Sequence, residues 1–106
     1  MNLELLFKGL ADGVRLRIVH LLCQKGELCV CHLTNTLALP QSTISRHLNV
    51  LRNCGLVEGR RMGKWVYYSM KNDDGVIALV DLIKSRTLHD PQLQHDLASL
   101  DDQQAC

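Results

Sequence analysis

Hydrophobic positions recur at helical spacing through the first part of the chain. Residues 3–10 and 16–22 each place apolar side chains three or four positions apart, and a third, shorter run covers roughly residues 28–37. The polar stretch "ADG" separates the first two runs, and Gly26 ends the second. This pattern predicts three helices.

A fourth helix is predicted after the turn "ALPQ". In "QSTISRHLNVLRNCG", Ile44, Leu48 and Leu51 fall on one helical face, and Gly55 supplies a C-terminal cap. Pro40 cannot lie in the interior of a helix, so it separates the third helix from the fourth. The two elements therefore predict a helix-turn-helix.

The hydrophobic period changes after residue 55. In "LVEGRRMGKWVYYSM", β-branched and aromatic residues flank "RMGK", where Gly63 can take the positive φ of a hairpin turn. We interpret this segment as a two-stranded wing. The predicted fold is mainly α with a small β-hairpin, a winged helix-turn-helix.

The last strongly apolar segment, "GVIALVDLIKSRTL", carries apolar residues around much of a helix circumference. One small domain cannot cover that surface, so we expect a homodimer. From about His89 the chain becomes polar and acidic. The predicted organisation is a winged helix-turn-helix DNA-binding and dimerisation domain over residues 1–88 and a loosely held polar tail over residues 89–106.

Composition narrows the class of protein. The 106 residues suffice for one domain, and the net charge of +1 conceals a basic stretch over residues 46–64. The N-terminus does not resemble a signal peptide, and no apolar run approaches the ~18–20 residues that cross a bilayer, so we expect a cytoplasmic protein with no membrane partner. Five cysteines, an odd number, favour metal binding, redox chemistry or packing over a disulfide framework.

The polar face of the fourth helix and the tip of the wing carry groups suited to DNA. Short donors and acceptors can meet base edges, and cations can meet phosphates. The candidate DNA contacts are Ser42, Thr43, Ser45, Arg46, His47, Asn49, Arg60, Arg61 and Lys64. His47 is ambiguous because it lies three residues after Ile44, on the inward side. A solvated helix and a charged hairpin would produce the same pattern.

Two cysteines, Cys29 and Cys31, stand at the predicted start of the third helix. Positions i and i+2 of a helix project about 200° apart, so one ion could bind both sulfurs only if the first turn unwinds. The helix N-terminus favours the thiolate that a soft metal needs. We therefore expect metal binding and helicity to compete. The alternative is that both cysteines pack as small apolar residues.

Four segments, "LFKGLADGVRLRIVHLL", "GELCVCHL", "STISRHLNVLRNCGLV" and "RRMGKWVYYSM", resemble in that order the arsenic-responsive repressors of the ArsR/SmtB family of bacterial metalloregulators. The resemblance covers roughly residues 5–70. It implies a homodimer, joined through its first and last helices, that represses an operon at its operator. It also implies release of the DNA when a metal or metalloid binds.

The resemblance further implies As(III) or Sb(III) as the inducer, held by Cys29 and Cys31. Related arsenic sensors often carry a third cysteine where this chain has Thr34, and commonly an aspartate where it has His32, a possible nitrogen ligand that favours a divalent ion. The third ligand stays open. The candidates are Cys23, Cys106, His32 and an exogenous thiol or water.

Other functions on the same fold also stay open. A cadmium-, lead- or zinc-responsive repressor is one, although Asp81 is followed by Leu82 and Ile83 and so does not match the Asp-x-His of the family's zinc sensors. A thiol-redox-responsive repressor is another. An enzyme is not expected, because the cysteines form Cys-x-Cys rather than Cys-x-x-Cys and no catalytic constellation accompanies them.

Overall fold

The computed structural model describes residues 2–101, which form six helices and one antiparallel sheet. The helices are α1 (Leu3–Leu10), α2 (Gly13–Lys25), α3 (Val30–Leu37), α4 (Gln41–Asn53), α5 (Asp74–Arg86) and α6 (Pro91–Asp101), with a 3-10 turn at Thr87–His89. The strands are β1 (Glu27–Cys29), β2 (Val57–Met62) and β3 (Trp65–Met70). Helices α3 and α4 form the helix-turn-helix and the β2–β3 hairpin forms the wing, which confirms the predicted fold class.

The core lies between α2, α3 and α4. The predicted apolar face of the fourth helix is confirmed, because Ile44, Leu48 and Leu51 are completely buried. Ile18 of α2 and Leu33 of α3 close over this face with no exposed surface. Burial of each such side chain contributes about 1.5–3 kcal/mol, so this face positions the helix-turn-helix.

The sheet has three strands rather than the predicted two. Its order is β1-β3-β2, and the added strand β1 pairs antiparallel with β3, Cys29 lying opposite Tyr67. A strand of three residues is too short to show an alternating pattern, and here a helix follows it without a break. The predicted third helix therefore included residues of β1. In the structure this helix begins at Val30 and not near Leu28.

The loosely held tail expected from His89 is wrong as far as Asp101, because Pro91–Asp101 forms a helix packed on α2 and α3. Asp96 is completely buried and accepts hydrogen bonds from Arg17 Nε at 2.8 Å and Arg17 Nη2 at 3.0 Å. Lys25 also pairs with Asp101. An ion pair between residues this far apart in the sequence leaves no local pattern. The polar composition of residues 91–101 therefore did not reveal that this segment is a packed helix.

Among the described residues, no helix has both the length and the apolar character needed to cross a bilayer.

Helix α1 approaches the end of α4 closely at Gly9. A Cβ atom placed on Gly9 would lie 2.7 Å from Cys54 Sγ, well inside van der Waals contact. The Cys54 thiol is buried and donates to the Leu51 carbonyl at 3.3 Å. Cys54 thus packs against α1 as a structural residue.

Gly9→Ala should destabilise the protein by about 1–3 kcal/mol, because the added methyl overlaps the Cys54 sulfur. Urea denaturation measures the loss. Gly13→Ala is the matched control, since nothing lies within 4 Å of a Cβ there. Adding Cys54→Ala to Gly9→Ala should restore much of the stability. Equal stability of the two glycine variants would contradict the close approach.

His20 is the other unusual feature of the core. It is completely buried in α2, and neither ring nitrogen has a hydrogen-bond partner within residues 2–101. Burial lowers its pKa, an effect that the nearby carboxylates of Asp96 and Asp90 oppose. Burial therefore favours the neutral form of the His20 imidazole in the folded protein.

The free energy of unfolding should fall as the pH is lowered from 7.5 to 5. The unfolded chain takes up a proton at the ordinary histidine pKa of about 6.5, whereas the folded state takes it up only at lower pH. His20→Leu should reduce this pH dependence, as measured by urea denaturation across the range. An unchanged slope would show that His20 does not titrate in this way.

Candidate metal centre and nucleic-acid interface

Cys29 occupies the junction between β1 and α3. Its backbone is extended, with φ −79° and ψ 160°, and it serves as the N-cap residue of α3. The His32 backbone N–H donates to Cys29 Sγ at 3.4 Å. Sulfur thus takes the capping role that a serine or aspartate oxygen usually fills.

This position corrects the expected geometry of the cysteine pair. Cys29 lies outside the helix, so the 200° separation of two helical positions does not apply to it. The ligand atoms of Cys29, Cys31 and His32 all lie within 4.8 Å of one another. The sulfurs thus lie within 4.8 Å of each other while α3 is intact, so this arrangement does not require the predicted unwinding of the first turn.

The three side chains differ in exposure. Cys29 is 2% exposed, whereas Cys31 and His32 are partly exposed. The distance between Cys29 Sγ and His32 Nδ1 is 3.0 Å, which makes the imidazole the direct neighbour of the buried sulfur. An ion could therefore enter from the side of Cys31 and His32.

Cys31 also borders a cavity of about 240 Å³. Thr34 and Asn35 of α3 line one side of it, Gln41 lies at the start of α4, and Lys64 and Trp65 belong to the wing. The cavity therefore brings Cys31, the start of α4 and the wing to one place.

The remaining candidate ligands are less suitable or fall elsewhere. Burial raises the pKa of the Cys23 thiol to about 11, so it is protonated at neutral pH and a poor metal ligand. Within residues 2–101, the group of ligand atoms described above does not include Cys23. Cys106 lies outside the described residues.

Helix α4 presents its polar side chains as the sequence predicted, with one exception. Ser42, Arg46 and Asn49 are exposed, and Thr43 and Ser45 are partly exposed. Sequence reasoning missed Arg52, whose Nη2 donates to Asn49 Oδ1 at 2.9 Å. Its position one turn after Asn49 could have suggested this contact.

The exception is His47, which is buried on the inward side of α4. Its Nδ1 lies 3.1 Å from Arg15 Nη1, so the neutral ring accepts a hydrogen bond from α2. Burial lowers the His47 pKa, Asp12 raises it, and Arg15 and Arg46 lower it further. We therefore remove His47 from the DNA-contacting candidates, because its side chain joins α4 to α2.

The wing turns at Gly63, whose φ of +60° favours glycine. Arg60 is bound within the sheet, because its Nε and Nη2 donate to the Glu27 carboxylate at 3.2 and 2.6 Å. This pairing lowers the pKa of Glu27. Arg61 and Lys64 are exposed near the turn, and Lys64 Nζ also lies 5.2 Å from the centre of the Trp65 ring.

The sheet connects the two candidate sites. Cys29 pairs with Tyr67 on one side of β3, and Arg60 pairs with Tyr67 on the other. A cysteine of the metal centre and an arginine of the wing therefore occupy one row across the sheet.

Residues 12–59 match the sequence model of the family described as "Bacterial regulatory protein, arsR family". The chain is 52% identical over 66 residues to the arsenic resistance transcriptional regulator ArsR1 of Pseudomonas putida, covering 62% of this chain and 52% of that protein. It therefore spans about half the length of that relative.

Two further relatives are matched over more of their length. The chain is 43% identical over 74 residues to the arsenical resistance operon repressor of Bacillus subtilis, covering 70% of each. It is 41% identical over 81 residues to a cadmium resistance transcriptional regulatory protein CadC homolog of Staphylococcus aureus, covering 76% of this chain and 66% of that protein.

Solved structures of similar fold include a homodimeric winged helix-turn-helix DNA-binding domain from Mycobacterium bovis, described as a possible ArsR-family regulator. It superposes with a TM-score of 0.69 at 35% identity, covering 87% of this chain and 82% of that one. The AntR antimony-specific transcriptional repressor has a TM-score of 0.68 at 28% identity, covering 84% and 79%.

Proposed function

The chain belongs to the ArsR family of bacterial regulatory proteins, and from this premise we propose that it is a repressor released from operator DNA by As(III) or Sb(III). The observation that carries the proposal is that Cys29 and Cys31 lie close together beside the wing and α4, the proposed recognition helix. The named roles of its relatives, which include arsenic resistance regulators and an antimony-specific repressor, support the choice of ligand.

The proposed repressor is a homodimer joined through α1 and α5, the latter being the last helix that the sequence predicted. Both helices expose large apolar side chains in the single chain. Phe7 of α1 is 57% exposed, and Leu82 of α5 is 56% exposed. Side chains of this size favour a protein partner, and a second copy supplies the same surface in return.

The proposed DNA surface combines α4 with the wing. Phosphate contacts position such a surface, and contacts to base edges give it specificity. We assign Ser42, Thr43, Ser45, Arg46 and Asn49 from α4, and Arg60, Arg61 and Lys64 from the wing. We expect Arg60 to contribute less to DNA binding than Arg61 and Lys64, because Glu27 already neutralises its charge.

The inducer reacts by exchange of ligands at arsenic. Arsenous acid, As(OH)₃, carries three hydroxyl groups, and a thiol replaces each one with release of one water molecule. Cys29 and Cys31 together replace two hydroxyls and release two waters, leaving a dithiolate with one As–OH bond. An exogenous thiol can replace that last hydroxyl in the same way. Antimonite follows the same chemistry.

Coupling to DNA follows from what surrounds Cys31. Gln41 begins the recognition helix and Lys64 belongs to the wing, and both border the cavity beside this cysteine. A ligand that changes the position of Cys31 therefore acts on both DNA-contacting elements. Coupling between sites typically amounts to ~1–3 kcal/mol, which weakens DNA binding roughly 5- to 150-fold.

A cadmium-responsive repressor is the second candidate function. The observation that favours it is the His32 imidazole at 3.0 Å from Cys29 Sγ, since cadmium accepts nitrogen beside sulfur. The Staphylococcus aureus relative is named for cadmium resistance. Titrating the operator complex with arsenite, antimonite, cadmium, lead and zinc, and measuring DNA release, ranks the inducers. Release by peroxide at lower doses than by arsenite would instead favour a redox sensor.

Arg46→Ala should weaken operator binding by about 1–3 kcal/mol, or roughly 5- to 150-fold, because it removes the exposed arginine at the centre of α4. Fluorescence anisotropy with an operator selected from random duplexes measures the affinity. Arg86→Ala, an exposed arginine outside α4 and the wing, is the matched control. Equal affinities of the two variants would remove Arg46 from the DNA surface.

Cys29→Ser and Cys31→Ser should each abolish release of DNA by arsenite and leave operator affinity near wild type, because serine keeps the size of the side chain and lacks the soft sulfur. The measurement is operator anisotropy during arsenite titration of the reduced protein. Cys54→Ser is the matched control and should respond normally. A Cys29→Ser, Cys31→Ser double variant with the wild-type arsenite response would overturn the proposed function.

A further inference from the structure

We propose that a cavity between α1 and the C-terminal end of α4 binds a small carboxylate with a short aliphatic chain, and that the Arg15 guanidinium holds the carboxylate group. The residues that line this cavity do not include Cys29 or Cys31. The effect of such a ligand on DNA binding rests on the proposed function, whereas the binding itself does not.

The first support is the size and lining of the cavity. Its volume is about 340 Å³, and Leu5 of α1, Val50 of α4 and Cys54 supply apolar walls. Sites for small molecules have mostly apolar walls and volumes of about 300–1,000 Å³. One water molecule takes about 30 Å³ of the liquid, so the cavity has room for roughly ten non-hydrogen atoms, the number in a linear carboxylate of about eight carbons.

The second support is a guanidinium at the wall of the cavity. Arg15 Nε donates to the Gly9 carbonyl at 2.6 Å and Nη2 to the Lys8 carbonyl at 3.4 Å. Arg15 Nη1 lies 3.1 Å from His47 Nδ1. None of these partners is negatively charged, and the ion pairs within residues 2–101 do not include Arg15. An arginine has five N–H donors, so two remain for an anion.

The nearby carboxylates do not fill this role. The Asp12 carboxylate attracts Arg15, but it accepts the backbone N–H groups of Val14 and Arg15 at the start of α2. Glu4 pairs with Lys8 at 3.0 Å, and both side chains are at least 70% exposed, so this pair is weak. Lys8 also borders the cavity. A carboxylate bound there would therefore meet two cations, and hydrogen bonds between ionised groups are strong.

The cavity lies on a different side of α1 from the proposed dimer contact. Leu5 borders the cavity, and Phe7, two residues later, is 57% exposed. Helical positions two residues apart project about 200° apart, so Phe7 points away from the cavity. A second copy that packs on Phe7 therefore does not need to close it.

Arg15 also gives the ligand a route to the DNA surface. This residue of α2 donates to two carbonyls of α1 and contacts His47 of α4. A carboxylate that draws the guanidinium toward the cavity weakens the contact with His47, which joins α4 to α2. Under the proposed function, binding of the carboxylate should therefore lower operator affinity.

The test is isothermal titration calorimetry of the reduced full-length protein with sodium octanoate. Acetate, which lacks the chain, and 1-octanol, which lacks the charge, are the matched control ligands. Wild type should bind octanoate with a dissociation constant of roughly 0.1–1 mM and each control ligand at least about fivefold more weakly.

Two variants test the site from different sides. Arg15→Met removes the charge and should weaken octanoate binding about tenfold or more. Val50→Phe fills the cavity, should weaken binding similarly, and keeps the test decisive if Arg15→Met does not fold. The matched controls are Lys71→Met, which removes an exposed cation outside the cavity, and Met62→Phe, which enlarges an exposed apolar residue of the wing. Both controls should bind octanoate like wild type.

No binding of octanoate by wild type, or unchanged binding by either folded test variant, would overturn the inference. If wild type does not bind octanoate and Val50→Phe changes the mass measured by sedimentation equilibrium, a second copy of the chain covers the cavity instead.

Operator anisotropy with and without octanoate separates this inference from the proposed function. Saturating octanoate should weaken operator binding by wild type at least about fivefold, and operator affinity unchanged by octanoate would overturn the coupling through Arg15. Octanoate binding by a protein that binds no operator would overturn the proposed function and leave the carboxylate site standing. Release of DNA by arsenite without any octanoate binding would overturn the inference alone.

Discussion

The pairing of β1 with β3 is the interaction on which both candidate sites depend. It holds Glu27–Cys29 in an extended conformation against Tyr67–Ser69, so α3 can begin only at Val30. Cys29 is thereby placed at the N-cap, where its sulfur meets the side chain of His32. Without this strand Cys29 would continue the helix, and its sulfur would point away from Cys31.

The same pairing links the wing to the body of the protein. A two-stranded hairpin is marginally stable by itself, and a third strand gives it support. The ion pair between Glu27 and Arg60 crosses the sheet and ties β1 to β2, and Arg60 also lies over the Tyr67 ring. The orientation of the wing therefore depends on the segment that carries Cys29, and a change at this cysteine can reach the wing through the sheet.

Sequence patterns predicted the features that follow from a regular spacing of residues. They missed the features that depend on a few contacts between residues far apart in the sequence. The burial of Ile44 and Leu48 and the turn at Gly63 followed from spacing and from the φ angle that glycine allows. The strand β1 has only three residues, and no periodicity can be measured over that length. The packing of α6 depends on one buried carboxylate, Asp96, and its arginine partner. The spacing left His47 ambiguous between the inward side and the DNA surface, and its burial and its contact with Arg15 place it inside.

The converged sulfurs change what an inducer must do. The sulfurs lie within 4.8 Å of each other at the start of an intact α3, so this arrangement does not require the free energy of ligation to be spent on unwinding the helix. A ligand shifts an equilibrium only through its difference in affinity for two arrangements. Under the proposed function, the inducer must therefore bind the DNA-bound protein more weakly than the free protein. The relative positions of Cys29 and Cys31 must differ between these two states. The cavity between Cys31, Gln41 and Lys64 is where such a difference would arise, because a movement of α4 relative to the wing changes the surroundings of Cys31 while Cys29 stays fixed in the sheet.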